Sequence, residues 1–223
     1  TACSLPPIEW HVVDGERLDA GQVIGRIRGS LRDILRAERP LLNMLQRAAG
    51  IATMTRQAVD LTSGTGCVVL HTRKTTPGLR LFEVRAVLDG GGGLHRLDLA
   101  TTAMIKDNHW QALKAGGKTL AQGISAARAM GVSEIQVEVE SIEQLVEACR
   151  AGATRVMIDN QPATTVREWS DRARRDRRDI QVEATGGISI DNIREYALAG
   201  VDFVSVGFIT HSVRSADLGV EIA

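Results

Sequence analysis

Aromatic residues are scarce in this sequence, and neither sign of charge is in excess. Phe, Trp and Tyr together make up 3% of its 223 residues, which argues against a base-stacking surface for single-stranded nucleic acid. Lys and Arg number 27, and Asp and Glu also number 27, so no global field attracts nucleic acid or an anionic membrane. We therefore expect neither as a partner, and any affinity for anions must come from the local placement of cationic side chains.

Cysteines and long apolar runs are also few. Cys3, Cys67 and Cys149 are widely spaced and form no CxxC pair, which favours a reducing cytoplasm over a disulfide framework or a zinc site. No segment approaches the ~20 apolar residues that span a bilayer, and no signal-peptide pattern is present. We expect a cytoplasmic protein. The first residue is Thr rather than Met, so we expect the N terminus shown to be processed, trimmed or incomplete.

The N-terminal part of the chain combines a β pattern with a helical pattern. Residues 8–13 and 23–29 have the composition of two strands separated by a turn. Two strands alone make a poor domain, so this segment must pack against another part of the molecule. Residues 30–61 carry apolar side chains near the 3.6-residue spacing of a helix, and we predict that Pro40 and Gly50 break the run.

From residue 66 onward, short apolar runs alternate with helical patterns. Strands are predicted at residues 67–71, 103–105, 135–139, 155–159, 180–185 and 203–207. Helices are predicted at residues 119–131, 141–152, 161–175 and 189–200. Repeated β-α units of about 20–25 residues indicate a parallel sheet with helical crossovers. Six or seven such units predict an α/β barrel of the eight-stranded type that is short of one strand.

Ionisable residues or glycines follow every predicted strand of this region at the same end. Any one of them is explained equally well by a solvated loop or a helix cap, but the carboxyl ends of barrel strands share one face, where active sites lie. The cationic members suit a ligand with two or more carboxylates or phosphates, because Arg binds oxyanions bidentately and Lys adds a point charge. They are Arg73, Lys74, His95, Arg96 and Lys106.

Acidic residues and glycines complete the predicted site. Glu138 and Asp159 suit a divalent cation, ribose hydroxyls or a developing positive charge. Gly186, Gly187 and Gly207 permit close approach of the backbone to a phosphate, near the position where such barrels often bind one. Together with the cationic residues, these features suggest a transfer reaction that involves a phosphorylated sugar.

Other conspicuous features have simpler interpretations. The glycine run at 90–93 does not match the spacing of a phosphate-binding loop, and we interpret it as a flexible turn that places His95 and Arg96. The basic run at 172–178 lacks interleaved aromatics and is diluted by aspartates, so a solvated helix face is favoured over an RNA-binding patch. No role is assigned to His71.

Eight motifs resemble, in order and spacing, those of nicotinate-nucleotide pyrophosphorylase (carboxylating), also called quinolinate phosphoribosyltransferase. The motifs are ERPLLNMLQRAAGIATMT, TRKTTPGLR, GGGGLHR, IKDNH, VEVES, MIDN, EATGGIS and VGFITHS. The resemblance implies an N-terminal α/β sandwich domain followed by an open, seven-stranded α/β barrel. It divides the chain into a remainder of the first domain at 1–38 and a catalytic barrel at 39–223, with a C-terminal tail that returns to the N-terminal domain. It also implies a homodimer or dimer-based oligomer.

The family resemblance further implies a reaction and a set of roles. Quinolinate and phosphoribosyl pyrophosphate would give nicotinate mononucleotide, pyrophosphate and CO₂ in de novo NAD synthesis, with Mg²⁺. Lys106, Glu138 and Asp159 would be catalytic, and the last two would also hold the metal. The implied substrate-binding residues are Arg39 (reaching the neighbouring subunit's site), Arg73, Lys74, His95, Arg96, Thr185, Gly186, Gly187, Gly207 and His211.

Three departures from the family pattern are evident. Family chains are usually longer at the N terminus by about one sandwich domain's worth of strands. Leu94 stands where the family usually has Asn, which puts a secondary contact in doubt, and Thr185 stands where Ser is frequent but keeps the hydroxyl.

Three other functions are weighed against this one. A paralogous group linked to molybdate transport shares the fold but lacks the KDNH and TTPGLR patterns. A nicotinate-specific phosphoribosyltransferase would need only one carboxylate site. A non-catalytic anion-binding protein derived from the fold would be better off without Glu138 and Asp159.

Overall fold

The computed structural model describes residues 7–96 and 102–222. The chain begins with a short hairpin in which strand β1 (Glu9–Trp10) pairs antiparallel with strand β2 (Gly25–Arg26). The two strands predicted at this end of the chain are therefore present but shorter than their sequence pattern suggested. Cys3 lies outside the described residues.

A single long helix, α1 (Leu31–Thr62), follows the hairpin, so the predicted breaks at Pro40 and Gly50 are wrong. Pro40 cannot donate to the carbonyl of Arg36, but both residues are exposed, so water can satisfy that carbonyl. Gly50 is also tolerated inside the helix, but for a different reason, because this buried glycine is needed for close packing. A Cβ on it would lie 2.4 Å from the backbone oxygen of Arg214, so glycine allows the C-terminal tail to cross the helix.

The rest of the chain alternates strands with helices, as the sequence pattern predicted. The strands are β3 (Val68–Leu70), β4 (Ala103–Ile105), β5 (Ile135–Val139), β6 (Arg155–Asp159), β7 (Gln181–Thr185) and β8 (Phe203–Ser205). The helices are α2 (Arg80–Asp89), α3 (Asp107–Ala115), α4 (Leu120–Ala129), α5 (Ile142–Ala151), α6 (Ala163–Asp176), α7 (Ile193–Leu198) and α8 (Phe208–His211). Helices α2, α3 and α8 were not among those named from the sequence.

All six strands of the main sheet run parallel, in the order β3-β8-β7-β6-β5-β4. An isolated parallel bridge joins Leu70 to Gly93 on the free side of β3, at the position of one further strand. In the part of the chain that the structure describes, no ladder joins that position to β4. The prediction of an α/β fold, with an open seven-stranded barrel preceded by a partial N-terminal sandwich domain, is confirmed in its class, and the described residues form six parallel strands and a small N-terminal antiparallel sheet.

The core lies between the strands and the surrounding helices. All five residues of β5 are buried, including Glu138 at 9% exposure, and Ile135, Val137 and Val139 are fully enclosed. Helix α5 begins with Ser141, whose hydroxyl accepts from the backbone N–H of Gln144, and ends at a left-handed glycine. Such caps fix where each helix starts relative to the strand before it, and thereby fix the loops at the carboxyl ends of the strands.

The C-terminal tail returns to the N-terminal half of the molecule. The backbone N–H of Ala216 donates to the carbonyl of Gln46, and the amide of Gln46 donates to the carbonyl of Leu218. Helix α1 runs without interruption past residue 38, and the proposed domain division at that residue stays a prediction. Of the helices in the described ranges, none has the combination of length and apolar character that crossing a membrane requires.

Candidate active site

The carboxyl ends of the parallel strands and the loops after them carry nearly all the predicted site residues. Because these strands are parallel, their carboxyl ends meet on one face of the barrel. The residues on this face are Arg73, Lys74, Lys106, Glu138, Asp159, Thr185, Gly186, Gly187, Gly207 and His211. His95 and Arg96 follow the Gly93 bridge beside β3. Arg39 is different: it lies on α1, with an exposed guanidinium 3.8 Å from Glu38.

The loop after β3 presents Arg73 and Lys74, and both are exposed. Its backbone closes on itself, because the N–H of Thr75 donates to the carbonyl of Arg73 and the N–H of Leu79 donates to that of Thr76. A cationic pair on an exposed but internally bonded loop can bind an anion with little loss of backbone entropy.

A buried ion pair anchors this loop from below. The guanidinium of Arg47 on α1 donates to Oε1 of Glu83 through Nη2 at 2.6 Å and through Nε at 2.8 Å. The same Nη2 donates to the hydroxyl of Thr76 and to the carbonyl of Thr210, while Oε2 of Glu83 accepts from the backbone N–H of Thr76. Glu83 is fully buried. One ion pair thus fastens the cationic loop to α1 and to the start of α8.

The loop after β3 also meets the segment after β8. The Thr210 hydroxyl lies within hydrogen-bond distance of two carbonyl oxygens, that of Lys74 at 2.9 Å and that of Gly207 at 3.0 Å. A Cβ on Gly207 would lie 2.7 Å from Nε2 of His211 and 3.4 Å from Cδ of Lys74. Glycine at 207 therefore lets an imidazole and a lysine side chain converge on bare backbone, an arrangement suited to an oxyanion.

An acidic pair occupies the ends of β5 and β6. The ammonium group of Lys106 donates to Oε2 of Glu138, and the indole N–H of Trp110 donates to the backbone carbonyl of Glu138. Burial raises the pKa of Glu138 above its ordinary value, the contact with Lys106 opposes that rise, and the nearby charge of Asp159 adds to it. Trp110 therefore supports the backbone of this acidic residue.

The turn after β6 fits closely against the turn after β7. Asn160 has a positive φ of 52°, its backbone N–H donates to the carbonyl of Thr185, and its side-chain amide donates to Oδ2 of Asp159. A Cβ on Gly186 would lie 2.3 Å from Oδ1 of Asn160 and 2.7 Å from Oδ1 of Asp159. The same construction at Gly187 meets no atom within 4 Å, so the second glycine faces open space. The sequence analysis assigned no role to Asn160, whose side-chain amide holds the carboxylate of Asp159 in place.

Two histidines and a buried carboxylate form a further cluster. Nε2 of His95 lies 3.2 Å from Oε1 of Glu183, and the backbone N–H of His95 donates to Nε2 of His71 at 3.2 Å. Nδ1 of His71 lies 3.1 Å from the carbonyl of Thr72. His71 is fully buried, and burial together with the neighbouring His95 lowers its pKa. His71, to which the sequence assigned nothing, thus holds the backbone of a predicted substrate-binding residue.

The glycine run before His95 owes its composition to packing. Cβ atoms would lie 2.5 Å from the carbonyl oxygen of Ala52 at Gly90 and 2.7 Å from a methyl group of Val68 at Gly93. The interpretation as a flexible turn therefore misses why glycine is needed here: the backbone lies directly against α1 and β3. Arg96, which follows His95, is 8% exposed, and its Nη2 lies 2.9 Å from the sulfur of Met104.

Glu138 and Asp159 have the chemistry of an Mg²⁺ site that is completed by substrate. Within residues 7–96 and 102–222, no group of three or more His, Cys, Asp or Glu side chains could hold a metal ion by itself. Mg²⁺ usually keeps several waters and binds through one or two carboxylates together with substrate phosphates. The charge of Asp159 raises the pKa of Glu138, and two carboxylates this close, on adjacent strands at the open face, fit that mode of binding.

Comparison with known proteins identifies the family. The family model described as quinolinate phosphoribosyl transferase, C-terminal domain, matches residues 51–221, and the one for the N-terminal domain matches residues 4–49. The chain belongs to the quinolinate phosphoribosyltransferase family. The resemblance seen in the sequence motifs is therefore confirmed.

Individual members of this family resemble the chain over most of its length. The probable nicotinate-nucleotide pyrophosphorylase (carboxylating) of Bacillus subtilis is 43% identical over 213 residues, covering 95% of this chain and 72% of that protein. The nicotinate-nucleotide pyrophosphorylase (carboxylating) of Mycobacterium leprae is 39% identical, covering 96% and 74%. The crystal structure of NadC from Streptococcus pyogenes superposes with a TM-score of 0.85 at 37% identity, covering 95% of this chain and 73% of that one.

Proposed function

We propose that this quinolinate phosphoribosyltransferase family member converts quinolinate and phosphoribosyl pyrophosphate into nicotinate mononucleotide, pyrophosphate and CO₂, as a step of NAD biosynthesis. The observation that carries the proposal is the shared mouth of the barrel. A cationic loop, an acidic pair and two glycine turns open on one face, and the family match covers the segments that build them. This arrangement suits an aromatic dicarboxylate placed against an activated sugar phosphate.

The chemistry would proceed in two steps. The pyridine nitrogen attacks C1′ of the ribose, and the C1′–oxygen bond breaks so that pyrophosphate leaves. The bond between ring carbon 2 and its carboxylate then breaks, CO₂ departs, and the electron pair left next to the cationic nitrogen takes up a proton. We assign Arg73, Lys74, His95 and Arg96 to the quinolinate carboxylates, and Lys106 to the space between the two substrates.

The sugar phosphate would occupy the opposite side of the mouth. Glu138 and Asp159 would hold the ribose hydroxyls, stabilise the positive charge that develops as pyrophosphate leaves, and bind Mg²⁺, which would neutralise the leaving pyrophosphate. Thr185, Gly186, Gly187 and Gly207 would bind the 5′-phosphate through backbone N–H groups, with His211 beside them. The close approach of the His211 ring and the Lys74 side chain to Gly207 supports an anion at that position.

We further propose that the active unit is a homodimer in the cytoplasm. Arg39 lies on α1 with 68% of its side chain exposed, 3.8 Å from Glu38. An arginine placed in this way can serve the site of a second copy.

The test is a product assay with two acceptors. Wild-type protein with phosphoribosyl pyrophosphate and Mg²⁺ should form nicotinate mononucleotide from quinolinate and should use nicotinate poorly. Arg73→Ala should mainly raise the KM for quinolinate, and Asp159→Ala should mainly lower kcat. Arg172→Ala, on the outer helix α6, is the matched control for loss of a cation and should change neither. Equal use of nicotinate, or full activity in both site variants, would overturn the assignment.

A further inference from the structure

Glu183 is a carboxylate in the middle of the barrel that the proposed reaction does not use. Its side chain is fully buried on β7, yet both of its oxygens have partners. Oε1 lies 3.2 Å from Nε2 of His95, and Oε2 accepts from Nη1 of Arg155 at 3.0 Å. The nearby hydroxyl of Ser205 on β8 also lowers its pKa. A buried charge this fully satisfied is held in one geometry and holds its partners in one geometry.

The charge of Glu183 is sustained by its surroundings. Burial alone would raise its pKa, but the hydrogen bond from His95 and the charge of Arg155 outweigh that effect and lower the pKa. The other titratable groups that face this cluster are Cys67, His71 and Arg80, and Cys67 is uncharged at neutral pH because burial raises its pKa to about 12. Glu183 is therefore an acceptor throughout the neutral range.

This acceptor determines which nitrogen of His95 carries a proton. A carboxylate can only accept, so Nε2 of His95 must be the N–H donor. The backbone of His95 is fixed independently, because its N–H donates to Nε2 of the buried His71. Only Nδ1 is left, and among the described residues it makes no hydrogen bond. A neutral imidazole with its proton on Nε2 presents an acceptor lone pair at Nδ1, which would repel an approaching carboxylate.

We propose that Glu183 is a positioning residue for His95: it holds the proton on Nε2 and orients the ring, so that a carboxylate of the aromatic substrate binds at Nδ1 and the imidazole takes up one proton from solvent as it does so. The resulting imidazolium is a donor at both nitrogens and lies between two carboxylates, one from the protein and one from the substrate. Arg155 compensates the charge of Glu183 and keeps the unliganded cluster stable. This inference rests on the proposed function, since it requires an aromatic carboxylate as the ligand.

Proton uptake is measured by titrating quinolinate into the protein calorimetrically at pH 8, in buffers of different ionisation enthalpy. Wild type should take up a proton on binding, because Nδ1 of a ring that already carries its proton on Nε2 must gain a proton before it can donate to the substrate carboxylate. The paired variant Arg155→Met with Glu183→Gln removes both buried charges together, and Met can still pack on Phe203, whose ring lies 4.0 Å from the guanidinium. We expect this variant and His95→Asn to lose the proton uptake. The KM for quinolinate should rise about tenfold, while the KM for phosphoribosyl pyrophosphate changes little. Glu147→Gln on α5 is the control and should behave as wild type.

The outcomes separate the two proposals. Absence of quinolinate binding and turnover in wild type would overturn the proposed function itself. Normal turnover with the same proton uptake in wild type and in the paired variant would overturn the role of Glu183 alone. If the paired variant does not fold, ¹⁵N spectra of the wild-type imidazoles decide, with His95 assigned by His95→Asn. A proton on Nε2 in the free protein and on both nitrogens with quinolinate supports the inference, and a ring that is unchanged by quinolinate contradicts it.

Discussion

Two buried glutamates on either side of β6 have opposite electrostatic environments. Glu183 has cationic or donor partners on both oxygens, and its pKa is lowered. Glu138 faces burial and the charge of Asp159, and even with Lys106 in contact its pKa is raised. Ionised Glu183 therefore stabilises the folded state, whereas ionised Glu138 destabilises it. A carboxylate that is destabilised when the site is empty is suited to the positive charge that develops during sugar transfer.

Glu138→Gln should therefore lower kcat without lowering the stability of the folded protein. The pKa of Glu138 is raised above its model-compound value of 4.5, so the ionised side chain disfavours the folded state once the pH exceeds that value, and fully so above the raised pKa. At pH 8 the variant should unfold at an equal or higher urea concentration than wild type. Its kcat should fall by roughly 10²–10³-fold, the usual effect of removing one electrostatic stabiliser. Glu147→Gln is the control, and an unchanged kcat in Glu138→Gln would contradict the assigned role.

Alanine substitutions at two adjacent glycines distinguish the effect of backbone strain from the effect of a contact with a site residue. Gly186 and Gly187 have φ values of 78° and 64°, so alanine at either position costs about 1 kcal/mol of stability. Only at Gly186 would the new methyl group meet the carboxylate of Asp159, at 2.7 Å. Gly186→Ala, which adds close contacts with Asn160 and Asp159 to the backbone strain, should lower Tm further than Gly187→Ala and should lower kcat/KM for phosphoribosyl pyrophosphate at least tenfold more. Equal kinetic effects would show that the contact with Asp159 is unimportant.

At the scale of elements, one ion pair joins three segments of the site. Arg47 on α1 and Glu83 on α2 hold the loop after β3 and the start of α8 through Thr76 and Thr210. The cationic loop and the adjacent turn at Gly207 thus depend on one fork of hydrogen bonds. Neither residue stood out in the sequence, because an Arg and a Glu on helices usually form a solvated surface.

Arg47→Lys tests whether Arg47 supports the site through its forked hydrogen bonds rather than through its positive charge. Lysine keeps the positive charge beside the buried Glu83 but cannot make the forked set of hydrogen bonds, so the fold should survive while both connected segments loosen. We expect the KM values for quinolinate and for phosphoribosyl pyrophosphate to rise together, by about three- to tenfold each. Steady-state kinetics with each substrate varied in turn measures this. Arg172→Lys is the matched control, and a rise confined to one substrate would contradict the clamp.

The sequence predicted the elements better than it predicted their contacts. Strands β4, β5 and β6 lie at the predicted residues, because short β-branched runs between helical patterns are a local signal. The supporting side chains His71, Glu183 and Arg47 could not be found in this way. Their partners are 24, 88 and 36 residues distant, and no local pattern encodes such pairs. The predicted helix breaks failed for a related reason, since Gly50 serves a tail that follows more than 160 residues later.

At the scale of the whole molecule, the account requires a second copy of the chain. Arg39 is the one predicted site residue on the N-terminal helix, and it is exposed. If Arg39 acts in the neighbouring subunit, Arg39→Ala and Asp159→Ala proteins should each be nearly inactive but should complement each other. Co-refolding equal amounts should restore about a quarter of the wild-type rate, because half of a random mixture is heterodimer with one intact site. If the mixture is shown to contain heterodimers but its activity does not recover, Arg39 does not act in the neighbouring subunit's site.

The central claim is that one mouth of the barrel holds a dicarboxylate against an activated sugar and removes the carboxylate next to the ring nitrogen. The most direct test uses quinolinate labelled with ¹³C in its 2-carboxylate, with phosphoribosyl pyrophosphate and Mg²⁺. The account predicts one labelled CO₂ for each nicotinate mononucleotide, no label in the nucleotide, and no CO₂ when phosphoribosyl pyrophosphate is left out. Label retained in the nucleotide, or CO₂ released without the sugar phosphate, would contradict it.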